Sequence, residues 1–121
     1  DTSTAVVNLA ALAQESRLDI FRLLVQQGPK GLCVSDIGEH IEIAAATLSF
    51  HLKELSSAGL ITSRKDGRHI YYSPDFTVMD SLINFLTEIA AAVYPATLSS
   101  LLKSKSLEKP SELLDFADET N

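Results

Sequence analysis

Between residues 47 and 68 the chain gathers side chains suited to a polyanion. Thr47, Ser49, His51 and Lys53 are interleaved with Leu48, Leu52 and Leu55. Hydroxyls, an imidazole and an ammonium on the outside of a packed helix can hydrogen-bond base edges and phosphates of double-stranded DNA. Four such residues cannot all share one helical face. The spacing favours Thr47 nearest the major groove, with Ser49, His51 and Lys53 toward phosphates. Arg64, Lys65 and Arg68 follow around an Asp66-Gly67 step. A cationic tip on a stiff ribbon can reach a minor groove, whose negative potential favours Arg. Each group has a plain alternative. The helical residues can be the ordinary surface of a core helix, and basic hairpin edges also discourage strand pairing.

The elements that must hold these residues are legible from apolar period. Residues 4–14 carry Val6, Val7, Leu9, Ala10, Leu12 and Ala13, a helix apolar on most faces that needs a large partner surface. Residues 15–27 form a second helix, ended by Gly28-Pro29. A short third helix spans residues 35–42, with Ser35 as its cap and Ile37 and Ile41 inward. The fourth covers residues 44–58, with Leu48, Leu52 and Leu55 at i, i+4 and i+7. The period then changes. Residues 60–64 and 68–72 are β-branched and aromatic, and the Asp-Gly between them signals a hairpin. Tyr71 and Tyr72 should divide, one packing under the hairpin and one facing out. Residues 76–93 return to helical period with more apolar residues than one face can hold. Two apolar faces imply two partners, the helix's own core and another chain. The fold expected is mainly α with a β-hairpin wing, a winged helix-turn-helix.

Composition narrows the function. The chain has 121 residues, which fits one domain, and a net charge of −6, which argues against a nucleic-acid binder. The charge is unevenly spread, however. Residues 44–73 hold four basic residues against two acidic ones, whereas residues 74–102 hold three acidic and no basic ones. The division expected is a DNA-binding and dimerisation domain over residues 1–103, then an acidic tail over residues 104–121 containing a short amphipathic stretch at 111–116. A further turn or two of helix is expected over residues 97–102. No stretch approaches the ~20 apolar residues of a membrane span. The first residues show no leader pattern, and the single Cys33 has no disulfide partner, so a cytoplasmic protein is expected. Catalysis finds little support: there is no phosphate-binding glycine loop, and Ser49 and His51, two apart on a helix, diverge. A protein-interaction module is the stronger rival, favoured by the net acidity and by Ala44-Ala45-Ala46 at the front of the fourth helix.

The run Thr47-Leu48-Ser49-Phe50-His51-Leu52-Lys53-Glu54-Leu55, then Ala58-Gly59-Leu60-Ile61, Asp66-Gly67-Arg68 and Tyr71-Tyr72, resembles the ArsR/SmtB family of bacterial repressors. Leu12-Ala13 and Ser16-Arg17-Leu18-Asp19-Ile20 extend the resemblance, which covers about residues 9–86. It implies a homodimer built on the first and last helices, here through Val6, Leu9, Leu82, Phe85, Leu86 and Ile89, binding a palindromic operator. It also implies release by a metal, a metalloid or a redox signal. The sensor is where this chain departs. Arsenic-sensing members often carry Cys-Val-Cys-Asp at the third helix; here Cys33-Val34-Ser35-Asp36 keeps one thiol, whereas trivalent arsenic prefers two or three soft ligands. Ile89-Ala90-Ala91-Ala92 follows Leu86-Thr87-Glu88, where another group carries adjacent cysteines. Asp75 and Asp80 have no later His to complete a zinc shell. No metal site or cofactor is expected, and a metalloid inducer is expected to be lost or altered. Cys33 is either a small buried residue at a helix start or a redox-modifiable sensor thiol.

Overall fold

The computed structural model describes residues 1–93. The residue 97–102 helix turn, the residue 104–121 tail and its amphipathic stretch lie outside the described residues. Among the described residues, five helices and three short strands follow one another as α1 (Thr2–Leu12), α2 (Glu15–Gln27), β1 (Leu32–Cys33), α3 (Val34–Ile41), α4 (Ala45–Ser57), β2 (Ile61–Asp66), β3 (His69–Pro74) and α5 (Phe76–Val93). By internal contact the chain divides within α5, into residues 1–83 and a second unit that begins at Asn84. Among the described residues no helix is long and apolar enough to cross a membrane.

Apolar period positions the helices, and local polar groups end them. Asp1 caps α1 by accepting from the Thr4 N–H at 2.9 Å, so the helix starts two residues before the expected Thr4. The Gln14 side chain accepts from the Arg17 N–H at 2.8 Å and starts α2. In α3 the N-cap is Cys33, not Ser35; Ser35 lies inside the first turn. Glu42 ends α3 in the left-handed region at φ 56°, and Ile43-Ala44 carries the chain into α4. That conformation costs a non-glycine residue about 1–2 kcal/mol, and the bond from the Glu42 N–H to the Gly38 carbonyl at 2.9 Å offsets part of it. Asp75 caps α5, accepting from the Val78 N–H at 3.2 Å.

One core organises residues 1–83. Ile20, Phe21 and Leu24 of α2 meet Ile37 of α3, Leu48, Leu52 and Leu55 of α4, and Leu60 and Ile61 at the start of the hairpin. Val78 and Met79 of α5 pack against the same cluster. The sheet is antiparallel in the order β1-β3-β2. β1, only two residues long, carries no alternation that a sequence reading could find. It pairs Leu32 with Tyr72 and Cys33 with Tyr71. Gly31 admits this close approach: at φ 75°, a Cβ there would sit 2.5 Å from the Tyr72 carbonyl oxygen. Asp66 pairs with His69, so the two-residue loop is Gly67-Arg68, one position later than the expected Asp66-Gly67. Glycine with positive φ belongs at the first loop position of a type II′ turn, and Gly67 has φ 64°.

Candidate nucleic-acid interface

Helix α4 buries the stripe Leu48, His51, Leu52 and Leu55, spaced i, i+3, i+4 and i+7. Thr47, Ser49 and Lys53 are exposed. His51 is not among them. It is only 7% exposed, and its Nδ1 lies 3.2 Å from Arg17 Nη1. A guanidinium can only donate, so Nδ1 accepts and the ring proton resides on Nε2. This corrects the expectation that His51 faces phosphates: its slot in the buried stripe turns it inward, where Arg17 satisfies it.

Arg17 also ties α1 to this arrangement. Its Nε donates to the Ala11 carbonyl at 2.6 Å, near the end of α1. A second strut comes from Asn8, 3% exposed, whose Nδ2 donates at 2.8 Å to the carbonyl of Ala58, the C-cap of α4. Orphan carbonyls at helix ends need such partners when buried. Helix α4 is thus held at its middle by α2 and at its C-terminal end by α1, each through a polar side chain. Neither strut was anticipated. Asn8, a lone amide in an apolar helix, was the available signal, because a buried polar side chain implies a hydrogen-bonding partner.

At the opposite end of α4 no side chain caps the helix and no acidic residue stands in its first turn. That leaves an N-terminus of favourable polarity for phosphate. Phe50, which sequence reasoning passed over, is 53% exposed, with its ring edge-on to His51 at 5.6 Å.

The hairpin does not present its three cations alike. Arg64 faces back across the ribbon. Its Nη2 donates to the Lys30 carbonyl at 2.8 Å, and its guanidinium lies 5.0 Å from the ring centroid of Tyr71, its cross-strand partner. Lys65, its neighbour along β2, points to the other face. Arg68 occupies the exposed loop tip. Lys65 and Arg68 are therefore the wing's outermost cations, while Arg64 braces its base. Tyr72 packs against the core, and Tyr71 lies on the Arg64 side with His69 edge-on at 6.4 Å.

Cys33 is 8% exposed; its thiol donates to Asp36 Oδ2 at 3.1 Å and lies 3.2 Å from Ser35 Oγ. An open groove of about 470 Å³ adjoins it, lined by Cys33, Val34, Ser35, Arg68, His69 and Ile70. Among the described residues no three His, Cys, Asp or Glu side chains are grouped to hold a metal ion. Asp75, weighed above as a zinc ligand, is the cap of α5.

Of the residues expected at a dimer interface, Val6 is 58% exposed, Leu9 40%, Leu86 43% and Ile89 52%, and Phe85 is half-buried. Leu82 departs from the set. At 8% exposure it is buried within its own chain and serves the fold rather than a free face.

Comparison with known proteins gives this geometry a context. A family described as a helix-turn-helix domain matches residues 12–64. The arsenical resistance operon repressor of Staphylococcus aureus is 37% identical over 81 residues, 67% of this chain and 75% of that protein. The cadmium resistance transcriptional regulatory protein CadC of Listeria innocua is 35% identical over 95 residues, 75% of this chain and 78% of that one. Among solved structures, the homodimeric winged helix-turn-helix DNA-binding domain of a possible ArsR-family transcriptional regulator from Mycobacterium bovis superposes with a TM-score of 0.60. It is 28% identical, over 77% of this chain and 82% of that domain.

Proposed function

The chain belongs to the ArsR family of winged helix-turn-helix transcriptional regulators, and from that premise we propose that it is a repressor binding a palindromic operator as a homodimer. The supporting observation is the pairing of an exposed polar front on α4 with a cationic wing tip. Thr47, Ser49 and Lys53 stand outside a helix whose other side is locked into the core, and Lys65 and Arg68 project from the hairpin that follows. In this reading α3 crosses the phosphate backbone, α4 enters the major groove and the wing reaches the adjacent minor groove. The net charge of −6 does not oppose this, because four of the ten basic residues, Lys53, Arg64, Lys65 and Arg68, lie in α4 and the hairpin against only two acidic ones, Glu54 and Asp66.

Dimerisation through α1 and α5 is part of the proposal. Val6 and Leu9 on one helix and Leu86 and Ile89 on the other are exposed apolar side chains, and the M. bovis domain of the same fold is homodimeric. A two-fold protein then calls for a two-fold site. The inducer response is proposed to be altered. Arsenite would find only Cys33 in this chain, buried and already hydrogen-bonded to Asp36.

The test is fluorescence anisotropy on the DNA upstream of the chain's own gene, over a salt series and with or without arsenite under reducing conditions. Affinity should fall steeply with salt, log K dropping by about 0.9 per log unit for each phosphate neutralised. Arsenite should leave binding unchanged. Failure to bind DNA even at low salt would favour the protein-interaction module instead. Release by arsenite would return Cys33 to the role of sensor.

A further inference from the structure

The outward face of α4 lies opposite its buried stripe and is centred on Ala46, Phe50, Lys53 and Ser57, spaced i, i+4, i+7 and i+11. Toward the N-terminus the centre line of this face carries only Ala46 and Phe50, with the hydroxyls of Thr47 and Ser49 on its two flanks. Ala44, Ala45 and Ala46 are all exposed, and Phe50, one turn on from Ala46, is 53% exposed. The Phe50 ring lies edge-on to His51 at 5.6 Å, and Arg17 in turn holds that histidine.

An aromatic ring in the middle of a helix face bound for the major groove has one apolar feature to meet there. Thymine alone presents a methyl group, at C5, among the donors and acceptors of the base edges. The surroundings also name the occupant of this face. Lys53 lies one turn along the same face, and Lys65 and Arg68 stand on the hairpin that follows, a set of cations that complements a polyanion.

We propose that Phe50, flanked by the Ala46 methyl, reads thymine methyl groups in the major groove, so that part of the operator preference is apolar contact rather than hydrogen bonding. This rests on the DNA-binding reading of α4 and adds what that helix selects. Thr47 and Ser49 supply the polar contacts beside it.

Replacing thymine by deoxyuridine removes that methyl and leaves the Watson–Crick edge intact. The experiment substitutes thymines in the upstream fragment singly and then together, and measures affinity by anisotropy at fixed salt for the parent, Phe50→Ala and Phe50→Leu. Each methyl that Phe50 touches should be worth about fourfold in affinity, the transfer value of one buried methyl-sized group. One or two positions per half-site should show this penalty. It should vanish in Phe50→Ala, persist in part in Phe50→Leu, and leave the salt slope unchanged because no phosphate contact is lost. Equal affinity of the parent for thymine and fully uracil-substituted duplexes would overturn the proposal. So would a uracil penalty of the same size in Phe50→Ala. A parent that binds no DNA at low salt would instead bring down the regulator reading, and this proposal with it.

Discussion

Cutting the link between Arg17 and His51 should loosen the recognition helix without touching its outer face. Arg17 makes two bonds, Nε to the Ala11 carbonyl at 2.6 Å and Nη1 to His51 Nδ1 at 3.2 Å, and shares only the second with α4. Hydrogen bonds from a charged donor contribute about 1.5–3 kcal/mol, and the half-buried position of Arg17 argues for the lower end. Arg17→Leu should therefore cost about 3 kcal/mol and His51→Leu about 1.5 kcal/mol. Both lose the same bond, so the double variant should cost about 3 kcal/mol, less than the two single losses together. Urea unfolding at one fixed protein concentration measures all four corners of this cycle, because the proposed dimerisation would make midpoints concentration-dependent. Operator affinity of each variant should fall with an unchanged salt slope, since neither side chain faces the groove. Single losses that simply add would refute the shared bond, and with it the view that α2 orients α4 through this histidine.

Gly31→Ala should destabilise by about 2–4 kcal/mol, combining left-handed strain with overpacking against Tyr72, whereas Gly67→Ala, with nothing within 4 Å, should cost only the strain; thermal melts separate them. Ile89→Glu or Val6→Glu should give a folded monomer by light scattering and circular dichroism, while Leu82→Glu should fail to fold because it buries a charge; a dimer that survives both exposed changes would show that the second copy docks elsewhere. Arg68→Ala should weaken binding to all DNA sequences and lower the salt slope by about 0.9, whereas Thr47→Ala should leave the slope alone and relax discrimination; parent-like binding by both would show that the DNA face is misassigned. The Cys33 thiol should react with a bulky disulfide reagent far more slowly in the native protein than in urea, and equal rates would show that its burial is not maintained in solution.

The helices were legible because burial and helical period are one signal. The α2 and α5 bounds coincide with the apolar runs that define them. Where the ends moved, the cause was a group that period does not encode. Asp1 and Gln14 cap through side chains that apolar patterning ignores. β1 exists because Gly31 lets the chain approach Tyr72, a contact 41 positions away that no local pattern carries. The hairpin was legible, but its register was not, because Asp-Gly marks a turn without saying which two residues occupy the loop.

The candidate site shows a different limit, and His51 and Phe50 illustrate it together. Polar residue types suggested that Thr47, Ser49, His51 and Lys53 all belong outside, but type is weaker than angle. Residues 48, 51, 52 and 55 complete an i, i+3, i+4, i+7 stripe, so position 51 is interior whatever stands there. A histidine in that slot must find a partner, and only the fold reveals that it is Arg17, 34 positions earlier. The same angles put position 50 outside. A phenylalanine there gains nothing from the core and leaves a large apolar surface in water, a cost the fold does not recover. An apolar ring on the same helix face as Lys53, ahead of a hairpin that carries Lys65 and Arg68, is best accounted for by a binding partner that is both anionic and locally apolar. Among the surfaces such a helix can enter, the thymine-bearing major groove has both properties.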